Sequence, residues 1–258
     1  MNQGGIAAQL YTVRDFMKTK DDIAASLRKV REAGYRAVEM AGLGPITAAE
    51  WKDLLDREGL IACSSHTPLD RLQSDLDAVI AEYRLWGAQY LAIPSMPQHF
   101  RDQGEEGFRR FAQEASAIGG RLRQAGITLG YHNHSFEFVR FGPHTGLHVI
   151  LENSDPQNLM SQLDTYWVQH GGGDPAAWIR LVKGRIPVIH VKDMVIADGA
   201  QAFAEIGEGN LNWPAIMDAC RYSGVRWYVV EQDRTRRDPF ESLAMSYEYL
   251  KKLGAERE

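Results

Sequence analysis

Cysteine, long apolar runs and blocks of like charge are all scarce in this chain, and each scarcity removes a class of function. Of 258 residues only Cys63 and Cys220 are cysteine. They form no C-x-x-C spacing, so neither a disulfide framework nor a thiolate metal site is expected, and both are read as reduced core residues. The longest apolar stretches, such as Tyr228-Val229-Val230 and Pro187-Val188-Ile189, fall far short of the roughly 20 residues that a membrane helix needs. The N-terminal Met1-Asn2-Gln3-Gly4-Gly5-Ile6 has no basic segment followed by an apolar one, so no secretory leader is read and a cytoplasmic location is expected. Basic residues are outnumbered, 29 Lys+Arg against 34 Asp+Glu for a net charge of −5, with no basic stripe of the kind a nucleic-acid surface shows. Neither G-x-G-x-x-G nor G-x-x-x-x-G-K-[ST] occurs, which weighs against nucleotide cofactors.

What is present is ordinary for a folded soluble chain: 44% hydrophobic and 24% charged residues, read as one domain over residues 1–258. Eight short apolar runs recur along it: Ile6–Leu10, Ala37–Met40, Leu60–Cys63, Tyr90–Ile93, Ile127–Tyr131, Met160–Leu163, Val188–Val191 and Trp227–Val230. Their starts are a βαβ unit apart. Between them the period turns helical, as in Ile23, Leu27, Val30 and in Phe240, Leu243, Tyr247, Leu250, each a single apolar stripe. Thr47-Ala48-Ala49-Glu50 fits a capping box, Asn212 with Pro214 a helix start, and Gly34, Gly59, Gly87 and Gly224 helix ends. Eight apolar strands alternating with helices over about 250 residues predict a (β/α)8 TIM barrel, an α/β fold whose active site lies at the C-terminal strand ends.

Polar residues crowd those ends. Glu39 follows the second strand, His66 the third, His132 and His134 the fifth, Asp164 the sixth, His190 and Lys192 the seventh, and Glu231 the eighth. Strand alternation puts His132 with His134, Gln162 with Asp164, and His190 with Lys192 on shared faces. A lone strand-end histidine is usually a hydrogen-bonded structural residue. Four donors from successive strands, His132, Asp164, His190 and Glu231, suggest a mixed nitrogen and oxygen site for Mn²⁺, Co²⁺, Zn²⁺ or Fe²⁺, with Mg²⁺ a further candidate.

The segments Gly34–Glu39, Leu129–Phe138 (LGYHNHSFEF), Gln162–Trp167, His190-Val191-Lys192-Asp193, Gly207–Trp213 and Val230–Asp233 together resemble the xylose-isomerase-like TIM-barrel superfamily. It comprises sugar isomerases and epimerases, and also inosose dehydratases and an apurinic-site endonuclease branch. The resemblance implies one divalent ion held by Asp164, His190, Glu231 and a fifth-strand ligand. There the family's glutamate is replaced by His132, with His134 and Glu137 as neighbouring substitutes. It implies an isomerase or epimerase acting on a sugar or keto-sugar through an enediolate, with Glu231 as ligand and principal base and His134 or Lys192 moving the second proton or polarising oxygen. Glu39, His66, Glu137 and Trp167 are expected to contact substrate, and Phe136, Phe138 and Trp213 to offer stacking faces. A dehydratase of a keto-sugar or inosose is the alternative, and a non-catalytic sugar-binding barrel a third reading. The partner expected is a small carbohydrate or cyclitol, with neither nucleic acid nor membrane, in a chain that resemblance suggests forms a homo-oligomer. The Gly171–Pro175 stretch reads as a flexible loop that could form a lid, and Arg14 lies where a phosphate could meet it, but no phosphate cradle is present in the sequence and no phosphorylated substrate is expected.

Overall fold

Short β-branched runs apolar on both faces cannot leave either face to water, so they pack side by side with helices outside. The computed structural model describes residues 4–41 and 46–255; the first three residues read for a leader, and both ends of the 1–258 domain, lie outside them. The strands are β1 Gly5–Gln9, β2 Ala37–Met40, β3 Ile61–Ser65, β4 Tyr90–Ile93, β5 Thr128–His132, β6 Met160–Gln162, β7 Val188–Val191 and β8 Trp227–Val230. All their pairings are parallel, running β3-β2-β1-β8-β7 and β4-β5-β6. Two single bridges join the sheets into a closed TIM barrel, His66 to Ala92 and Asp164 to His190. Both closures fall on strand-end residues singled out from sequence.

Four strands shift from their expected limits, β6 by ending at Gln162 and not at Leu163. β1 ends at Gln9 because the Gln9 side chain accepts from the Tyr11 N–H and turns Leu10–Phe16 into a 3-10 helix. β3 and β5 each start one residue later than expected and run on to Ser65 and His132. The β2–β3 register slips between Val38 and Glu39, where Ala37 and Val38 face Ile61 and Ala62 but Glu39 and Met40 face Ser64 and Ser65. Such a bulge re-aims side chains at a barrel rim.

Alternation sorts the barrel interior into layers. Ala7, Ala37, Cys63, Tyr90, Val188, Trp227 and Val229 form a buried apolar cluster of their own. Two residues on along their strands stand Gln9, Glu39, His190 and Glu231, all buried. The apolar plug below and the polar layer above thus follow from one period of two. Outside, Ile23, Leu27 and Val30, and Phe240, Leu243, Tyr247 and Leu250, bury the stripes read from sequence. Thr47 and Glu50 make the reciprocal capping box, Asn212 caps the Trp213–Ser223 helix, and Gly59, Gly87 and Gly224 end helices in the left-handed conformation. Cys63 and Cys220 are buried free thiols. No helix among the described residues is long and apolar enough to cross a membrane.

A hairpin, Asp193–Ala197 against Ala200–Ala204, follows β7 and stands over the barrel mouth. Its root is Asp193, whose buried carboxylate accepts from the backbone N–H groups of Met194, Gly207, Gly209 and Leu211 and from Trp213 Nε1 at 2.6 Å. This explains the GEGNLNW motif structurally. A Cβ on Gly209 would sit 2.3 Å from the Asp193 carboxylate, and Gly207 has φ of 92° beneath the Tyr249 ring. Trp213 is committed to this brace, so it offers no stacking face. Asp193→Ala would strand buried donors and is expected to cost about 3 kcal/mol or more. Urea unfolding, with limited proteolysis at residues 205–212, would measure it; an unchanged midpoint and an uncut loop would refute the brace.

Candidate active site

The polar layer converges on His190. Its Nε2 lies 2.6 Å from Glu39 Oε1 and its Nδ1 2.9 Å from Glu231 Oε2. Burial by itself would strip the proton from this ring, but the two carboxylates outweigh it and raise His190 to about 10. Glu39 is wholly enclosed, and burial would raise it, yet His66 and His190 hold it well below the ordinary carboxylate range. Its second oxygen accepts from Gln162 Nε2 at 2.6 Å and its first from Gln9 Nε2 at 2.6 Å. His66 Nε2 closes the ring of contacts, 2.9 Å from Gln162 Oε1 and 3.1 Å from Glu39. Both Glu39 oxygens are therefore engaged beneath the site. The outer-shell carboxylate that orients a ligating histidine has this arrangement.

Lys192 occupies the other side. Its Nζ reaches Asp233 at 2.7 Å, Glu231 at 2.8 Å and Asp164 at 3.1 Å. Desolvation of so buried an ammonium would lower its pKa, but three carboxylates push it far above the ordinary value, so it keeps its proton. Burial would likewise raise Glu231, and Lys192 and His190 instead hold it well below normal, ionised. Asp164 is lifted to about 6, chiefly by burial. One of its oxygens caps the helix Thr165–His170 through the Trp167 N–H, and its own N–H donates to Asn133 Oδ1. The seventh-strand lysine thus turns away from Asp193 and toward the carboxylates of β6 and β8.

His132 and His134 line the β5 side. Burial, followed by the neighbouring positive charge, holds His132 well below its ordinary value, and burial lowers His134 to about 4, so both are neutral near pH 7. The Nδ1 atoms of both are buried with no hydrogen-bond partner among the described residues, and Asp164 Oδ2 is buried against the Lys192 ammonium. One donor atom from each of His132, Asp164, His190 and Glu231 lies within 4.8 Å of the others, and His66, His132 and His190 form an overlapping set. Unclaimed buried lone pairs beside carboxylates are what a divalent cation with nitrogen and oxygen ligands would satisfy. The residues fit the ion.

Glu137 lies apart from that cluster. Tyr131 donates to its Oε1 at 2.5 Å and the His134 N–H to its Oε2 at 2.9 Å, so it braces the β5 loop with both oxygens engaged. Burial raises its carboxyl to about 7. An unfolded glutamate titrates near about 4.3, so the folded chain holds the extra proton between these values. Stability from this group is full below about pH 4.3 and is lost as pH rises through about 7. Wild-type protein is expected to lose roughly 2–3 kcal/mol between about pH 4.5 and about pH 7.5 that Glu137→Gln retains. Denaturation curves across that range would show it; parallel pH profiles would exclude it.

Trp167 stands at the rim, its ring 5.3 Å from His134 and 5.6 Å from Lys192 Nζ. Phe136 stacks beside His134 at 5.9 Å, whereas Phe138 is turned to Trp178. The Gly171–Pro175 stretch departs from the lid expectation. A Cβ on Gly171 would lie 2.4 Å from Phe138 and one on Gly173 2.7 Å from it, so the stretch is packed against that ring. Arg14 is spent on the Tyr11 and Asp233 carbonyls. Gln9 and Asp233 are site residues that the search for histidine and carboxylate ligands passes over or leaves without a role. The strand-end rule itself reaches Gln9, a polar residue closing an otherwise apolar strand.

Comparisons with known proteins agree with the barrel fold. The rhizopine catabolism protein MocC of Rhizobium meliloti is 25% identical, the alignment covering 89% of this chain and 81% of that protein. An inosose dehydratase of Mesomycoplasma hyopneumoniae is 23% identical over 96% of this chain and 95% of its own. The crystal structure of a sugar phosphate isomerase/epimerase from Parabacteroides distasonis superposes with a TM-score of 0.78 at 26% identity, covering 98% of this chain and 96% of that one. The profile of the xylose isomerase-like TIM barrel family matches residues 27–253, and the chain belongs to that family.

Proposed function

We propose that this protein is a divalent-metal-dependent isomerase or epimerase that removes a proton next to the carbonyl of a sugar or keto-sugar. The observation that carries the reading is Glu231: a buried carboxylate kept ionised between His190 and Lys192, beside the unclaimed Nδ1 of His132 and the Asp164 carboxylate. A divalent ion held by His132, Asp164, His190 and Glu231, Mn²⁺ or one of its neighbours in ligand preference, would supply positive charge where the carbonyl oxygen becomes anionic.

The chain's own residues do the rest. Glu231 is in its basic form at neutral pH and takes the proton. Lys192, which does not give up its own proton, sets a fixed positive charge beside the oxygen that gains electrons. His134, neutral and with a free Nδ1, receives a proton from a substrate hydroxyl and returns it. Glu39 orients His190, and Trp167 offers the apolar face of the sugar a flat partner. His66, one-tenth exposed, is the member of the lower ring that a hydroxyl can reach.

A second reading is favoured by one feature. β5 brings two neutral imidazoles where a second carboxylate would make a symmetric two-base site, and the chain is similar to an inosose dehydratase. On that reading the same abstraction by Glu231 is followed by loss of a β-hydroxyl. Proton NMR in D₂O separates them, using Mn²⁺-loaded protein with ketohexoses, 3-keto-glucosides and inososes. Deuterium beside the carbonyl with every hydroxyl retained is the expected result. A new enone signal would establish the dehydratase, and no change with any substrate would overturn the proton-abstraction reading.

A further inference from the structure

Beyond the reacting cluster lies a cavity of about 540 Å³ between the Asp193–Ala204 hairpin and the loop after β8, lined among others by Tyr166, Trp167, Phe203, Asp233 and Arg234. Its size falls within the range of roughly 300–1,000 Å³ that small-molecule sites occupy. It is joined to the cluster through side chains the two share. Asp233 lines the cavity and bonds Lys192, and Lys192 Nζ lies 5.4 Å from the Phe203 ring and 5.6 Å from Trp167. The aromatic wall is continuous: Tyr166 and Phe203 are 4.3 Å apart by centroid, Tyr166 and Trp167 4.9 Å, and Trp167 and Phe203 5.8 Å. Trp167 also keeps a buried indole N–H with no partner among the described residues.

One sugar ring seated at Glu231 and Lys192 reaches one edge of this wall at Trp167 and would leave the half-buried Phe203 ring uncovered. Rings in offset or edge contact with it gain both burial and quadrupole attraction, which a hydroxylated chain does not. We infer that the cavity is a subsite for a planar, ring-shaped substituent, so that the substrate is a glycoside bearing a cyclic aglycone and not a free monosaccharide. The inference rests on the sugar reading above but not on its proton-transfer step.

Phenyl and methyl glycosides of glucose and galactose, both anomers, test it by calorimetric titration of the Mn²⁺-loaded full chain. For at least one sugar the phenyl glycoside is expected to bind about tenfold tighter than the methyl one. Phe203→Ala should erase most of that preference, and Gln201→Trp, which shares a strand face with Phe203 and lines the same cavity, should abolish it; both should leave the methyl glycoside's affinity unchanged. Equal affinities in the wild type, a preference that survives both variants, or no binding of any glycoside would overturn the subsite. A phenyl preference in a protein that exchanges no deuterium would uphold the subsite while the proton-abstraction reading falls.

Discussion

Glu231→Gln is expected to slow solvent-deuterium exchange by about 10³-fold, close to 4 kcal/mol of barrier, in a protein that still folds and still binds Mn²⁺ at saturating concentration. The substitution keeps the shape of the side chain, and its amide oxygen can accept from Lys192 and from the protonated His190 that now hold the carboxylate at 2.8 and 2.9 Å. It removes the negative charge and, with it, the ability to take a proton. Asp164→Ala is the informative contrast, because Asp164 faces the same ion site with no part in proton transfer. That variant should lose metal on dialysis and regain activity in part as Mn²⁺ is raised, whereas Glu231→Gln should not respond to added metal. Metal content by mass spectrometry, alongside initial exchange rates, reads both. Exchange restored in Glu231→Gln by Mn²⁺ alone would reduce Glu231 to a ligand and leave the base to be sought among His134 and His132.

Much of this arrangement is legible in the amino-acid sequence itself. Alternation along the strands puts His132 with His134, Gln162 with Asp164 and His190 with Lys192 on shared faces that can converge at the barrel mouth, because successive side chains point to opposite faces and the site of such a barrel lies at its strand ends. What the period cannot convey is which neighbour an inner side chain takes. Glu39 reads as a hydroxyl-binding carboxylate from its strand-end position, yet the β2–β3 bulge and the proximity of Gln9, Gln162 and His190 enclose it. Glu137 is only five residues beyond His132, but a 3-10 turn at Phe136–Phe138 folds it back under Tyr131. Lys192 and Asp193 are adjacent and opposite in face, so one joins the site and the other ties down the hairpin. The aromatic subsite draws Phe203 from an antiparallel insertion that carries no helix or barrel-strand signature. Contacts made by insertions depend on tertiary placement, which local pattern does not encode.

Lys192→Met is expected to act in opposite senses on the metal-free and metal-loaded protein. Without metal, Lys192 is the buried cation among Asp164, Glu231 and Asp233. Methionine matches its length but leaves those carboxylates to repel one another in a desolvated site, and breaking a buried pair from one side costs about 3–5 kcal/mol. Roughly a 10 °C fall in Tm is the corresponding change for a domain of this size. A divalent ion brings positive charge to two of the same three carboxylates, so saturating Mn²⁺ should recover most of the loss, and the variant should bind Mn²⁺ more tightly than the wild type. Turnover should nonetheless fall by about 10²-fold, since the ion does not replace the ammonium beside the reacting oxygen. Thermal unfolding with and without Mn²⁺, joined to calorimetric titration of the ion, measures each arm. An equal Tm loss in both states, with unchanged Mn²⁺ affinity, would mean that Lys192 and the ion do not share ligands, and that the cation site lies toward His66, His132 and His190, the alternative set that the same layer of side chains provides.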